Sequence, residues 1–441
     1  MKIRPKVGIF QGAGALQSQV VNAIAVLDSR GYDVDIFFFN VSRDFCDVPS
    51  AVKKDTVRIF DYNDSPDTVS DIQVPVSPFR KKIREILRAY PRVYRQWQRL
   101  RSLQFRLADS LQYWFHVNDL DFVIPRRVLD QTKSEMAGHP YRCLIGVEKF
   151  GLVWAGAVAQ EFKIPLVYYS LELYTQEYFT PRLLREFPGF ASRWFRRLKR
   201  LEQKYHQQCQ ATIVQDADRK QVLLRDNRID VDQRCFFVPV SLLGSPSCEK
   251  KDLWRSRWGI PQNTRVLLYF GLMRVRRYAL DLVRLAQTFP EDWMLVMHGH
   301  APEPDMLRAL HLCNTHNRAI ISTTLVPSSE IDTLIASADI GLVFYSNETK
   351  NEFLTGKSSE KVALYARAGV PMIAFDYPSF VEVFSKYRCG RCISRIAEIE
   401  EHAKAIFADY ERYRQGALLA YVEVYEFAKH FSAVVDWIDQ L

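Results

Sequence analysis

TGKSSEKVALYARAGVPMIAFD, at residues 355–376, decides the fold of this chain. It contains, in order, a polar loop, a short helix, a glycine stop at Gly369 and an apolar strand, which is the pattern of one helix–strand step in a buried parallel sheet. A helix N-terminus offers unpaired N–H groups and a partial positive charge, to which Lys357 and Lys361 add full charges. The stretch therefore predicts a diphosphate site, with an ordinary capped helix packed on a sheet as the alternative.

The length and composition are those of a multidomain globular protein. The 441 residues exceed a single typical core, so two or three domains are expected. A hydrophobic content of 48% with 25% charged residues argues against large-scale disorder. The formal net charge of +9 predicts an anionic partner, with nucleic acid, an anionic membrane and a phosphorylated small molecule as the open classes.

Targeting signals and cysteine pairs are sparse. The basic N-terminus leads into a strand without a long apolar run or a small-residue cleavage site, so no signal peptide is predicted. No stretch approaches the roughly 18 consecutive apolar residues of a membrane span. The eight cysteines include one CxxC pair, Cys389 and Cys392, for which a structural role is favoured over a redox or metal role because a second pair is lacking. A reduced cytoplasmic protein is expected.

The chain begins with a βαβ pattern. An apolar strand at residues 6–10 is followed by a loop with Gly12 and Gly14, a helix closed by Gly31, and a strand at residues 34–39. The loop lacks the full GxGxxG spacing and the second strand ends without an acidic residue, so a nicotinamide site is not expected. The glycines are instead predicted to let a ligand approach the backbone closely.

Two later strands of the first half each end in a carboxylate. Glu148 follows the strand in CLIGVEKFG, and Glu172 follows the strand at residues 166–170. In open α/β sheets ligands gather beyond the carboxyl ends of the strands, so both glutamates are candidates for function. Capping of a neighbouring helix or pairing with an arginine is the alternative for each.

Two segments combine basic and aromatic residues. Residues 80–106, from Arg80 to Arg106, carry ten arginines and lysines against one acid, and their apolar residues recur at helical spacing. This composition suits an anionic membrane surface. A surface helix whose apolar face packs in the core is the main alternative, and nucleic acid is a weaker one. The cluster at residues 193–200, from Arg193 to Arg200, has the same character.

A second α/β series follows a polar, turn-rich stretch. Its first strand leads into a loop with Arg274 and Arg277, and a later strand ends in His298 and Gly299. The chain is thus predicted to contain two βαβ domains of similar build. The predicted divisions are an N-terminal domain at residues 1–240, a linker at 241–252, a C-terminal domain at 253–415, and a terminal helix at 416–441 that packs back on the first domain.

Six stretches, taken in order, resemble the GT-B glycosyltransferases and are closest to the family-4-like group. They are the glycine loop after the first strand, IVQDADR, LLYFGLMRVRR, WMLVMHGH, VPSSEIDTLIASADIGLVFY and SSEKVALYARAGVPMIAFD. The resemblance extends over nearly the full chain. It implies an α/β protein with two Rossmann-like domains that face each other across a cleft, an acceptor in the N-terminal domain and a nucleotide-sugar donor in the C-terminal one.

The resemblance also implies roles for individual residues. Arg277 takes the place of a family lysine that neutralises the donor diphosphate. Glu172 is the first candidate for the base that takes the acceptor proton, and Glu148 is the second. Gly12 and Gly14 lie on the acceptor side. The residues implied in donor binding are Arg274, Arg277, His298, Gly299, Leu325, Val326, Lys357, Ser358, Ser359 and Lys361.

One pair of positions departs from the family. Many members have two glutamates ahead of the helix that Gly369 closes, and this chain has Gly356 and Leu364 there. The glutamate that usually holds the ribose is therefore missing, which leaves the base, the sugar and the stereochemical outcome open. The expected donor is a UDP- or GDP-sugar, the expected acceptor is a hydroxyl of a glycan or lipid-linked glycan, and no metal or other cofactor is expected.

Other classes stay open beside a transferase. A GT-B epimerase would convert a nucleotide-sugar without an acceptor, and a non-catalytic nucleotide-sugar-binding protein would transfer nothing. An RNA-binding protein would need a basic groove lined with aromatic residues, and no RNA-binding motif occurs, so no nucleic-acid partner is expected. The expected location is the cytoplasm, with peripheral attachment to the inner face of the membrane if the basic segments meet lipid.

Overall fold

The computed structural model describes residues 4–12, 16–39, 55–62, 120–121, 123–175, 188–230, 232–247, 249–303 and 305–441. The chain forms two compact units. The first comprises Met1–Ile213, Leu223–Cys235 and Val435–Leu441, and the second comprises Val214–Val222 and Phe236–Val434.

The strands of the described residues form two sheets, one in each half of the chain. The strands are β1 (Lys6–Gln11), β2 (Asp33–Phe38), β3 (Val57–Asp61), β4 (Tyr141–Val147), β5 (Leu166–Tyr169), β6 (Ala211–Val214), β7 (Cys235–Phe237), β8 (Arg265–Phe270), β9 (Trp293–His298), β10 (Ala319–Ser322), β11 (Ile340–Val343), β12 (Met372–Phe375) and β13 (Gly390–Ile393).

Helices alternate with these strands along the chain. The α-helices are α1 (Ser18–Ser29), α2 (Arg126–Met136), α3 (Glu148–Phe162), α4 (Pro188–His206), α5 (Ala217–Asn227), α6 (Leu253–Trp258), α7 (Ala279–Ala286), α8 (Met306–Cys313), α9 (Ile331–Ala336), α10 (Lys350–Phe353), α11 (Glu360–Arg367), α12 (Pro378–Tyr387), α13 (Ile399–Ala408), α14 (Tyr410–Ala420) and α15 (Phe427–Ile438). Single 3₁₀ turns occur at Val275–Arg277, Ser328–Glu330 and Ile396–Glu398, and Tyr421–Tyr425 is a π-helical turn.

Both sheets have a reversal of strand order near the middle. The first runs β3-β2-β1-β4-β5-β6-β7 and the second runs β10-β9-β8-β11-β12-β13. The pairs from β3 to β6 and all pairs of the second sheet are parallel. Such a reversal opens a crevice beyond the carboxyl ends of its two central strands, here β1 with β4 and β8 with β11. The predicted α/β architecture with two Rossmann-like units is confirmed.

The core of the first unit depends on a close approach of helix α3 to strand β1. A Cβ on Gly151 would lie 2.1 Å from the Phe10 carbonyl oxygen, so only glycine fits. The Phe10 ring then stacks on Phe37 at 4.5 Å and meets the edge of Trp154 at 5.4 Å. This contact explains why α3 has a glycine at position 151.

The C-terminal residues of the chain bind the first unit through polar contacts. The Tyr32 hydroxyl donates to the Asp439 carboxylate at 2.5 Å, and Arg30 lies 3.2 Å from the same carboxylate. Arg142 donates to the Asp439 carbonyl at 3.0 Å. Residues 435–441 therefore belong to the first unit.

The buried Asp339 carboxylate links several segments of the second unit. Asp339 accepts hydrogen bonds from the Val266 N–H at 2.7 Å, from Arg255 at 2.7 Å and from Lys250 at 2.8 Å. These bonds attach the segment before helix α6 to strands β8 and β11. Buried charges are tolerated when they are paired and hydrogen-bonded in this way.

Candidate functional site

The candidate site of the second unit lies where strands β8 and β11 end. Gly271 and the basic loop of Arg274 and Arg277 follow β8, and Tyr345 and Ser346 follow β11 closely. These are the two strands at the reversal of strand order, where open α/β sheets place ligands.

Two glycines form the floor of the site. Gly271 and Gly299 have φ angles of +124° and +150°, and a Cβ on Gly299 would lie 2.0 Å from the Gly271 carbonyl oxygen. A Cβ on Gly271 would lie 3.3 Å from the Lys361 Nζ. Both positions need glycine, and the resulting gap admits the lysine.

The ammonium group of Lys361 occupies that gap. It lies over the rings of Tyr269 and Tyr345, at 5.1 and 4.8 Å from their centroids, and is buried. Among the described residues it has no hydrogen-bond partner. Burial, together with repulsion from Arg277, lowers the pKa of Lys361 to about 7. A buried lysine with a lowered pKa and no hydrogen-bond partner among the described residues is suited to bind an anion.

The arginines of the loop after β8 extend the positive charge. The Arg277 guanidinium lies over the Tyr345 ring at 4.9 Å from its centroid. In the described part of the chain, the Nε atoms of Arg274, Arg276 and Arg277 have no hydrogen-bond acceptor although they are buried. Since buried polar atoms are nearly always paired in folded proteins, these three donors, of which Arg277 lies beside Lys361, indicate an anion site.

Glu352 is a residue of this site that the sequence interpretation missed. Its carboxylate is 3% exposed, Ser346 donates to its Oε2 at 2.5 Å, and its Oε1 lies 3.5 Å from Arg276 and 3.7 Å from Arg277. The Thr349 hydroxyl caps helix α10 by accepting from the Glu352 N–H. A threonine followed three residues later by glutamate is a helix-start signal that could have located α10, but it says nothing of the arginines.

The side chains of the predicted phosphate loop form contacts within the protein. The Ser359 hydroxyl pairs with the Tyr345 hydroxyl at 2.7 Å, and the Ser358 hydroxyl donates to the Leu354 carbonyl. Lys357 forms an ion pair with Glu382 at 3.1 Å. Of the residues predicted in this loop, the structure brings Lys361 beside Arg277 and gives the two serines contacts that hold the loop.

Arg219 also fixes the loop and was missed as a site residue. Its side chain is 1% exposed and donates to the Leu354 carbonyl, the Ser358 hydroxyl and the Asn351 side chain at 3.0 to 3.2 Å. It belongs to the IVQDADR stretch, but its target lies more than 130 residues later, so no local pattern could identify it.

The remaining predicted donor residues lie at the ends of β9 and β10. His298 is buried, shares a hydrogen bond with the Ser322 hydroxyl at 3.0 Å and stacks on Phe270. Burial lowers the pKa of His298. Leu325 is 96% exposed, whereas Val326 packs partly on the core. His298 thus supports the sheet edge next to Gly299.

Glu148 of the first unit has an uncommon backbone conformation. It is the first residue of α3 and has a φ of +57°. Its Oε1 accepts the backbone N–H groups of Leu171 and Glu172, each at 2.7 Å. Burial raises the pKa of Glu148. The carboxylate therefore positions the backbone of Glu172, whose side chain is half-buried after β5.

Of the two glycines predicted on the acceptor side, Gly12 lies within the described residues. A Cβ on Gly12 would lie 2.6 Å from the Cβ of Phe150, so Gly12 lets strand β1 end directly against α3. Gly14 lies outside the described residues.

The chain is similar over its whole length to solved structures of one fold. Sucrose-phosphate synthase from Thermosynechococcus elongatus matches with a TM-score of 0.63 at 13% identity, over 99% of both chains. Anabaena HepE in complex with UDP and glucose matches with a TM-score of 0.62 at 12% identity, over 100% of both chains. WaaG, a glycosyltransferase involved in lipopolysaccharide biosynthesis, matches with a TM-score of 0.56 at 13% identity, over 98% of this chain and 99% of that one.

The fold is GT-B. No protein-family model and no curated protein matches the sequence. The structural likeness therefore establishes the fold that the six motifs predict, and the resemblance to GT-B proteins is confirmed at that level.

The basic segments of this GT-B chain are described only in part. Residues 80–106 lie outside the described residues. In α4, Arg196 and Arg200 are exposed, whereas Lys199 is buried and pairs with Glu202 at 2.8 Å. Phe195 packs on Tyr174. In the part of the chain that the structure describes, no helix combines the length and hydrophobicity of a membrane span.

We expect Lys361→Met to remove the pH dependence that the titration of Lys361 gives to the free energy of unfolding. The pKa of Lys361 falls from 10.5 to about 7 on folding, so between these values the unfolded chain binds a proton that the folded chain does not. Wild-type stability should therefore rise with pH across this window relative to the variant. Urea unfolding at about pH 6.5, 8 and 9.5 measures this difference in the free energy of unfolding.

The matched control is Lys350→Met, which changes an exposed lysine of α10. It should leave the pH dependence of the free energy of unfolding unchanged. A Lys361→Met variant whose stability parallels the wild type from pH 6.5 to 9.5 would contradict the lowered pKa.

Proposed function

We propose that this protein is a glycosyltransferase that moves a sugar from a UDP- or GDP-sugar to a hydroxyl of a glycan or lipid-linked acceptor. The observation that carries the proposal is that two cations, buried Lys361 and Arg277, lie side by side at the ends of β8 and β11 in a GT-B fold. The likeness to HepE, which was solved with UDP, with UDP-glucose and with UDP and glucose, supports a nucleotide-sugar as the ligand.

The proposed chemistry follows from where the charge develops. Transfer leaves negative charge on the departing diphosphate, and fixed cations in a site without competing water stabilise that charge. Lys361 and Arg277 are held by Tyr345 and by the glycine floor before any ligand arrives. An approaching diphosphate also raises the pKa of Lys361 again, because an adjacent anion favours the protonated amine.

The acceptor hydroxyl needs a base if transfer inverts the sugar centre. We assign this role to Glu172 and assign Glu148 to positioning, because its carboxylate already accepts two backbone N–H groups. In a retaining transfer, the same glutamates would bind acceptor or sugar instead.

Arg277→Gln should weaken UDP binding at least tenfold. Losing a charge-assisted contact to phosphate costs about 1.5–3 kcal/mol, and about 1.4 kcal/mol corresponds to a factor of ten. Isothermal titration of UDP and GDP into the full-length protein measures the dissociation constant. Lys350→Gln, an exposed change on the neighbouring helix, should leave it unaltered. A wild-type protein that binds neither nucleotide would contradict the proposed donor.

Glu172→Gln should lower kcat by at least about a hundredfold while KM for the donor stays the same, as expected for a lost general base. Glu148→Gln should retain most activity since its amide oxygen can still accept both N–H groups, whereas Glu148→Ala should not. Turnover is followed as nucleotide release from a panel of UDP- and GDP-sugars with a membrane extract as acceptor source. Near-normal kcat for Glu172→Gln would remove it as the base.

The acceptor is proposed to be membrane-proximal, because Arg196 and Arg200 form an exposed basic stripe on α4. Each basic residue near an anionic surface contributes about 1 kcal/mol. The double change Arg196→Gln and Arg200→Gln should therefore reduce flotation with phosphatidylglycerol vesicles. Changing the exposed Arg225 and Arg308 to Gln is the control. Equal recovery with phosphatidylcholine vesicles, or none with either lipid, would argue against the membrane role.

A further inference from the structure

A cavity of the second unit is lined in part by Lys357 and has a different chemistry from the candidate site around Lys361. It has a volume of about 370 Å³. This lies at the lower end of the roughly 300–1,000 Å³ typical of small-molecule sites. Among its lining residues, only Lys357 was predicted to bind the donor. The side chains that matter most are Asp216, Phe237, Lys357, Glu382 and His430.

His430 provides the strongest sign that the cavity has a ligand. Its Nε2 is buried and, within the described residues, has no hydrogen-bond partner. The imidazole ring also forms hydrogen bonds with the backbone of Val424 and Glu423. Burial lowers the pKa of His430, so the ring is neutral near pH 7 and Nε2 carries a lone pair. A buried acceptor without a partner is costly, and a donor from a ligand would satisfy it.

The charges around the cavity favour a neutral ligand. Asp216 is buried and accepts the Arg219 N–H at 2.8 Å. Lys357 and Glu382 neutralise each other across 3.1 Å. The rim adds Lys386 and Glu423, so two lysines face three carboxylates. Neither an anion nor a cation finds a dominant opposite charge, whereas hydroxyl groups can donate to the imidazole and carboxylates and accept from the lysine.

The apolar part of the lining suits the carbon face of a sugar ring. Phe237 is 44% exposed although it is a large aromatic residue. Tyr387, Pro239 and Val424 line the same cavity. An aromatic wall opposite a few fixed polar groups is the usual arrangement of small-molecule sites. Such a lining can cover the carbon face of a sugar ring with apolar atoms and leave polar side chains for its hydroxyl groups.

We propose that this cavity binds a carbohydrate through His430, Asp216 and the Phe237 ring. The site goes beyond the proposed donor role, because its ligand is a neutral sugar without phosphate. It also adjoins the phosphate loop. The Lys357 side chain lines the cavity, and its carbonyl accepts the Val240 N–H at 2.9 Å.

Saturation-transfer NMR on the full-length protein tests the proposal, with the methyl glycosides of glucose, galactose and mannose and with N-acetylglucosamine as probes. At least one should bind the wild type. His430→Phe keeps a ring but removes the acceptor and should weaken that binding at least tenfold. His311→Phe changes an exposed histidine of α8 and should have no effect.

Two further variants make the outcome decisive. Phe237→Ala alters an exposed side chain, so it should fold even if His430→Phe does not, and it should also weaken binding severalfold. Arg277→Gln should leave sugar binding intact, which separates this site from the UDP site. The proposal fails if none of the four sugars binds, since the cavity then holds only water. It also fails if binding survives in both folded cavity variants, since the sugar then occupies another site.

Discussion

The burial of the Lys361 ammonium without a hydrogen-bond partner among the described residues is the constraint on which the candidate site depends. Placing a charged amine among protein atoms is unfavourable, and the Arg277 guanidinium makes it more so. The faces of Tyr269 and Tyr345 recover part of this cost. The remainder is a free-energy cost that a bound anion would remove, so burying this amine favours binding of an anion.

The backbone around Lys361 is organised to keep this arrangement from relaxing. Gly271 and Gly299 pack closely against each other with positive φ angles, and the Lys361 amine lies against Gly271. The Ser359 hydroxyl holds Tyr345, and Arg219 holds the loop from outside. Glu352 lies 3.5 to 3.7 Å from Arg276 and Arg277, close enough to orient them but beyond good hydrogen-bond distance. A phosphate oxygen could therefore compete for both guanidinium groups.

The sequence predicted the two-unit α/β fold because its information is local: apolar strands, helix starts and glycine stops recur at short spacing. The motif order assigned Lys361 and Arg277 to one site, and the structure places both cations over the Tyr345 ring. The sequence did not predict the contacts of side chains whose partners lie far away along the chain. Lys357 faces Glu382, 25 residues later, and Arg219 reaches Ser358 across 139 residues. No pattern within a helix or loop encodes such contacts, so Glu352 and Arg219 were missed and the ion pair between Lys357 and Glu382 was not predicted.

The two units solve the same geometric problem with different residues. In each unit, the residue that directly follows one of the two strands at the reversal has a positive φ. The second unit uses Gly271 there, at little steric cost. The first unit uses Glu148, for which this conformation costs about 1–3 kcal/mol. The two short hydrogen bonds from Leu171 and Glu172 offset that strain. Glu148 therefore combines a strained backbone with a carboxylate that holds the backbone of the residues after β5.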